Sequence, residues 1–217
     1  MITLAFDTCL TACTAAVLED ERVLVSRVEP MARGHQERLA PLVYEVMTEA
    51  ELSFDRLDRI GVTIGPGSFT GLRVGLAFAK GLGAALDRPV IGIGVLEALA
   101  EPFEGPSVVF SVLDAKRGQV YLQAFAGGKP LMAPDALPVE TACARLVELA
   151  GAGPAVITGT GLELVADVLP GARRVPVEHA DPAAVARLAA VRSAVPPRPL
   201  YLRAPDAKLP GGRELGA

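Results

Sequence analysis

Val62-Thr63-Ile64-Gly65-Pro66-Gly67-Ser68-Phe69-Thr70-Gly71-Leu72-Arg73-Val74-Gly75-Leu76-Ala77-Phe78-Ala79-Lys80-Gly81-Leu82-Gly83 is the stretch on which the reading of this chain turns. Ile60 to Ile64 is an apolar run closed by Gly-Pro-Gly, the punctuation of a strand. Ser68 or Thr70 then caps a helix, its hydroxyl accepting one of the orphan amides of the first turn. Those amides, with the positive end of the helix dipole, make a ready anion site. Within the helix Gly71, Gly75, Ala79 and Gly83 recur every fourth residue and form one row almost without side chains. An interior glycine costs about 1 kcal/mol against alanine, so the row needs a compensating close approach. Spacing alone leaves two readings open: the helix lies tight on its own sheet, or a helix of another subunit docks there.

Outward from this block the chain is rich in core material. Of 217 residues, 51% are hydrophobic and 21% charged, enough for one domain or two small lobes. Apolar runs break well before the ~18 residues of a membrane helix, and no export signal is evident. Cys9, Cys13 and Cys143 sit among apolar neighbours, which predicts reduced, buried thiols and a cytoplasmic location. A net charge of −4 gives no general field for polyanions, which argues against a protein that grips nucleic acid alone. The two histidines, His35 and His179, lie far apart, so a histidine-built metal site is not expected.

Taken in order, the pattern predicts strands at 2–6, 14–18 and 23–28, then a helix over 33–52 with Leu39, Leu42, Val43, Val46, Met47 and Ala50 on one face. After the glycine block come a strand at 89–93 and a short helix at 95–100. Pro102 to Pro106 marks a boundary, and beyond it the order of elements repeats. Strands are expected at 107–113, 119–125 and near 129–132, a helix at 139–150, a strand at 155–158 and a helix running to Leu169. Asp181-Pro182 opens a last helix, with Val185, Leu188, Ala189 and Val195 facing inward. From Pro196 the chain holds five prolines and three glycines and is expected to be partly extended. The expectation is an α/β protein of duplicated actin-like, ribonuclease H-like design. Its lobes would span 1–104 and 105–195, each with a mixed sheet flanked by helices, and a tail would run over 196–217.

Asp7-Thr8 and Asp114-Ala115-Lys116-Arg117-Gly118 both sit where strands empty into loops. In a two-lobed fold these loops face one cleft, where Asp7, Thr8, Gly67, Ser68 and Asp114 would meet a metal–phosphate ligand. Equally, both aspartates are suited to start turns by bonding nearby amides. The glycine block is neither a Walker loop, lacking Gly-Lys-Ser/Thr, nor a dinucleotide fingerprint. His35 has no Ser, Cys or metal partner and reads as a loop-holding residue, and His179 as a solvated one. Lys116 and Arg117 form a small basic spot. No nucleophile–base pair can be assembled, so catalytic residues and metal ligands are not expected.

The assembled motifs resemble those of the TsaB family. They are Phe6-Asp7-Thr8, Gly34-His35, the Gly65–Arg73 block, Asp114-Ala115-Lys116-Arg117-Gly118-Gln119-Val120-Tyr121 and Pro199-Leu200-Tyr201-Leu202-Arg203. The likeness is firm over the first 125 residues and thin from 126 to 195. Cys9 stands where the family commonly has Ser. The resemblance implies an actin-like, cytoplasmic, non-catalytic partner of TsaD, which transfers threonylcarbamoyl to the adenosine beside the tRNA anticodon. A TsaE-type ATPase is the third member, and the family pairs with itself when alone. Contact with tRNA comes only through the complex, and ATP and magnesium belong to that assembly and not to the isolated chain. The catalytic relatives' His-x-x-x-His metal pair would fall on Val95 and Leu99, which cannot bind a metal. The resemblance also implies that first-lobe helices form a bundle with the partner. Gly71, Gly75, Ala79 and Leu82, with Leu39, Val43 and Met47, are then expected at that surface. The competing expectations are a glycoprotease-like peptidase and a stand-alone nucleotide hydrolase using Asp7 and Asp114.

Overall fold

In the computed structural model, which describes residues 1–103 and 105–203, strand β1 (Ile2–Asp7) is buried along its whole length. A strand covered on both faces has to be apolar at every position. Ile-Thr-Leu-Ala-Phe-Asp meets this demand except at Thr3, whose buried Oγ1 has no partner among the described residues, and at its last residue. Leu4 and Phe6 belong to one core and Ala5 to another on the opposite face. Around β1 are arranged β2 (Ala12–Glu19), β3 (Arg22–Pro30), α1 (His35–Glu49), β4 (Arg59–Thr63), α2 (Phe69–Leu86), β5 (Val90–Ile93) and α3 (Val95–Ala100). The sheet runs β3-β2-β1-β4-β5, antiparallel across the first three strands and parallel thereafter.

The second half repeats this path. It comprises β6 (Val108–Lys116), β7 (Gln119–Ala126), β8 (Lys129–Pro130), β9 (Asp135–Pro138), α4 (Val139–Ala150), β10 (Ala155–Thr158), α5 (Leu162–Val165), β11 (Arg173–Val175) and α6 (Pro182–Val191). The order is β11-β10-β6-β7-β8, with β9 also paired to β7. Again the first strands are antiparallel and the later ones parallel. The fold is the expected duplicated actin-like one. Among the elements not anticipated are β9 and β11, and short 3-10 turns at Phe54–Arg56, Glu101–Phe103 and Ala166–Val168.

The last helix of each half crosses over. Helix α3 packs on β6 and β7, while α6 packs on β1, β2 and β4. By packing, α6 therefore belongs to the first sheet, not to a self-contained lobe of 105–195. Its alanine-rich inner edge explains the choice. A methyl at Gly61 would come within 2.8 Å of the Ala189 methyl, so helix and strand are in backbone-close contact. Asp181 caps α6 through the Ala183 amide at 2.9 Å, as its sequence foretold. Arg59 Nη1 donates to the terminal carbonyls of Ala189 and Ala190, each at 2.8 Å. Val195, expected inside, is 67% exposed because the helix has already ended at Val191. Residues 204–217 of the expected tail lie outside the described residues.

Helix α2 starts at Ser68, whose hydroxyl accepts from the Gly71 amide at 3.2 Å. Its glycine row points inward, Gly71 and Gly75 against Thr8 in the loop after β1 and Gly83 against β5. A β-carbon on Gly71 would lie 1.8 Å from the Thr8 carbonyl oxygen, one on Gly75 2.6 Å from Thr8 Oγ1, and one on Gly83 2.4 Å from the Val90 side chain. Gly81, on the outer side, has nothing within 4 Å. Gly71→Ala is therefore expected to cost about 3 kcal/mol, since the collision is with main chain that cannot rotate away. Gly81→Ala in the same helix should gain about 1 kcal/mol from helix propensity. Urea denaturation of the two variants checks both signs, and equal effects would contradict the packing described.

Candidate functional site

The loop following β1, the Gly65–Ser68 turn and the start of α2 form one interlocked knot. Ser68 donates its amide to the Cys9 carbonyl at 2.7 Å, and Thr8 Oγ1 donates to the Gly71 carbonyl at 2.7 Å. A side chain on Gly67 would collide with Cys9 O at 2.3 Å. The Gly65–Pro66 peptide is cis, and Gly65 has a φ of +99°, a conformation that glycine adopts without penalty. Two of the amides that gave the helix start its promise as an anion site, those of Ser68 and Gly71, are thus engaged within the chain.

Asp7 is fully buried. Its Oδ1 accepts from the Cys9 amide at 2.9 Å and from the Thr63 hydroxyl. Burial pushes the carboxyl up, with the Thr63 and Cys9 hydrogen bonds opposing it. Oδ2 has no partner among the described residues, nor has Oγ1 of Thr14, directly across the ladder from Asp7. Asp114 lies within β6 and not at its end. Its Oδ1 accepts from the Lys116 amide at 2.7 Å, and its Oδ2 is 2.6 Å from Lys116 Nζ. The Lys116 ammonium holds this carboxyl below its ordinary range. Both aspartates thus bond the amide two residues on, the same turn device in each half. Arg117 and Gly118, with φ of +56° and +72°, close the β6–β7 hairpin.

The side chains of Asp7 and Thr8 are not offered to a phosphate or a metal ion. Asp7 and Thr8 are at most 1% exposed, and neither reaches a phosphate without the knot coming apart. Among the described residues no three His, Cys, Asp or Glu side chains gather into a metal-holding group. Burial raises the Cys9 thiol well above its usual range and the Cys13 thiol to about 12, so neither is an activated nucleophile. Cys143 is only half-buried. His35 Nε2 is buried without a partner among the described residues, so it does not pin its loop by that atom. His179 is half-buried, with Nδ1 3.4 Å from the Ala180 carbonyl.

The seven residues expected at a partner surface are also placed differently. Leu39, Val43, Met47, Gly71, Gly75 and Ala79 are buried within the chain, and Leu82 is half-buried against the same core. The helical period identified residues that share a face, but the chain's own sheet occupies that face. What the α1–α2 pair turns outward is a groove of about 540 Å³ lined by Ala40, Phe69, Arg73, Val74, Ala77 and Phe78, among others. Phe69 is 42% exposed although it is large and apolar. The Arg73 guanidinium lies 3.7 Å from its ring centre, and the Tyr201 ring packs beside it at 5.4 Å. Phe69 and Arg73 stand four residues apart on a helix, a pairing legible in the sequence and passed over. Farther along α1, Arg38 grips Glu29 and Glu45 at 2.5–2.7 Å and fastens the helix to β3.

The buried carboxyl makes stability depend on pH. Asp7 holds its proton more readily in the folded chain than in the unfolded one, where such a group titrates near 3.8. Stability linked to Asp7 is therefore greatest below that pH and falls as the pH rises through the folded value. Asp7→Asn removes the titration while keeping an oxygen for Cys9 and Thr63. Urea midpoints should show the wild type losing stability relative to this variant as the pH rises above about 4. A difference that stays constant with pH would contradict the burial of an ionisable Asp7.

Three comparisons bear on this fold and knot. Residues 28–158, more than half of the chain, match the family model described as TsaD, tRNA N6-adenosine threonylcarbamoyltransferase. An uncharacterized protein of Mycobacterium tuberculosis is 37% identical over 211 residues, 94% of this chain and 93% of its own length. The tRNA threonylcarbamoyladenosine biosynthesis protein TsaB of Escherichia coli is 34% identical over 121 residues, about half of each chain (54% and 52%). The solved structure of YeaZ from Pseudomonas aeruginosa superposes with a TM-score of 0.76 at 28% identity, covering 87% of this chain and 90% of that one. The activator of 2-hydroxyisocaproyl-CoA dehydratase from Clostridium difficile shares the fold, with a TM-score of 0.53 at 9% identity. The glycine knot, the duplicated sheets and these matches together place the chain in the TsaB (YeaZ) family.

Proposed function

We propose that this protein serves tRNA threonylcarbamoyladenosine biosynthesis as a supporting subunit, receiving a TsaD-type catalytic partner on its α1–α2 face. The observation that carries this reading is the groove between the two helices, with Phe69 left exposed at its wall. An apolar groove between two exposed helix faces suits a second pair of helices. The closed knot at Asp7 favours support over catalysis, because its carboxyl and both buried thiols are held away from solvent. On this reading ATP and magnesium bind the assembled complex and not this chain. A TsaE-type ATPase and tRNA meet that complex in the cytoplasm. When the partner is lacking, the same groove pairs two copies of the chain. No helix among the described residues is long and apolar enough to cross a membrane.

Ala40 and Ala77 are exposed and line the groove from opposite helices. Ala40→Glu and Ala77→Glu should each weaken association with a TsaD-type partner by about tenfold or more, since a buried charge at an interface centre lacks compensation. Their melting temperatures should stay close to wild type. Leu164→Glu, at an exposed position on α5, should leave association unchanged. Co-purification and calorimetric titration provide the readout. Binding unaffected by both groove variants would refute the assignment.

A further inference from the structure

Residues 192–203, which follow α6, run along the first sheet before reaching the second. Arg192 Nη1 donates to the Gly92 carbonyl at 3.1 Å, and Pro197 rests against Gly92, so the segment covers the edge strand β5. Leu200 then donates its amide to the Ile64 carbonyl at 2.8 Å, at the entry to the glycine turn. The Leu200 carbonyl faces Gly65, where a side chain would come within 3.0 Å. Tyr201 packs on Phe69 and accepts from Arg73 Nε at 3.3 Å. Two residues later Arg203 Nη1 donates to the Ala115 carbonyl at 2.7 Å, on the β6–β7 hairpin of the second sheet.

We propose that this segment is an inter-lobe strap that couples the wall of the α1–α2 groove to the β6–β7 hairpin. The main chain between the ties is short. Only Tyr201 and Leu202 lie between Leu200 and Arg203, a main-chain span of about 10 Å when fully extended, to which the Arg203 side chain adds its own length. Tyr201 sits between the two, its ring against Phe69 and its hydroxyl accepting from Arg73, both residues of the groove wall. A partner pressing on Phe69 moves Tyr201, and Tyr201 cannot move far without pulling on Leu200 or Arg203. The ties are individual hydrogen bonds and a ring contact, each modest in strength. Ties of that size are weak enough to exchange on partner binding and strong enough to bias two positions of the hairpin. The hairpin carries Lys116 and Arg117, so such coupling presents or withdraws its cationic tip.

The use of the coupling rests on the groove being the partner face, but its existence does not, and the test needs no partner. Hydrogen exchange is measured on the full chain for wild type, Arg203→Ala and Tyr201→Ala. Arg203→Ala should speed exchange about fivefold in amides of 115–120 and also of 67–74, which Arg203 does not touch; this is the loss expected from one net hydrogen bond. Tyr201→Ala should do the same in both segments. Strand β3, at the margin of the first sheet opposite β5, serves as the internal reference and should not change. Acceleration confined to 115–120 in Arg203→Ala would overturn the coupling. So would an equal rise in β3, since the strap would then only add to global stability. Loss of partner binding in the groove variants leaves this result untouched, so the two readings fail separately.

Discussion

Among the described glycines the tightest site is Gly71, where the main chain at Thr8 lies so near the first turn of α2 that no room is left for even a methyl group. Everything near the head of the first sheet follows from that contact. It draws the loop after β1 under the helix, where Thr8 and Cys9 hydrogen-bond to Gly71 and Ser68. It seals Asp7 beneath the loop, so the residue that ends β1 is a buried structural carboxyl held by Thr63 and Cys9. It also fixes the rotation of α2 about its axis. With the bare edge inward, Phe69, Arg73 and Ala77 are left to line the outer groove with α1.

The two halves share a topology but are not independent bodies. Helix α3 leaves the first half for the second sheet and α6 makes the return journey, so each sheet is finished by a helix from the other half. Arg187 on α6 reinforces the exchange through Glu101, just beyond α3, and that carboxylate raises the guanidinium pKa. The segment after α6 continues the pattern along the β5 edge. A chain laced this way resists relative motion of its halves.

The sequence was most legible where a periodic run is bounded by strong punctuation. Helix α4 and strand β10 occupy the residues expected of them, 139–150 and 155–158. Strands β9 and β11 escaped because Asp-Ala-Leu-Pro and Arg-Arg-Val carry no alternation of their own; they pair at sheet margins where one neighbour decides the matter. The glycine row shows the deeper limit. A period of four tells which residues share a face, and is silent on what lies across from it. Only the Thr8 carbonyl, 63 residues away in sequence, settles that question. Phe69, Arg73 and Tyr201 were individually visible, but their meeting depends on a strap whose path no local pattern encodes.

A structure of this chain bound to a TsaD-type partner addresses the central claim most directly. The account predicts partner helices seated against Ala40, Phe69 and Ala77, with the Thr8–Gly71 contact unchanged from the free chain. A partner docked on the second sheet, or on the glycine row after the loop beyond β1 has swung away, would contradict it.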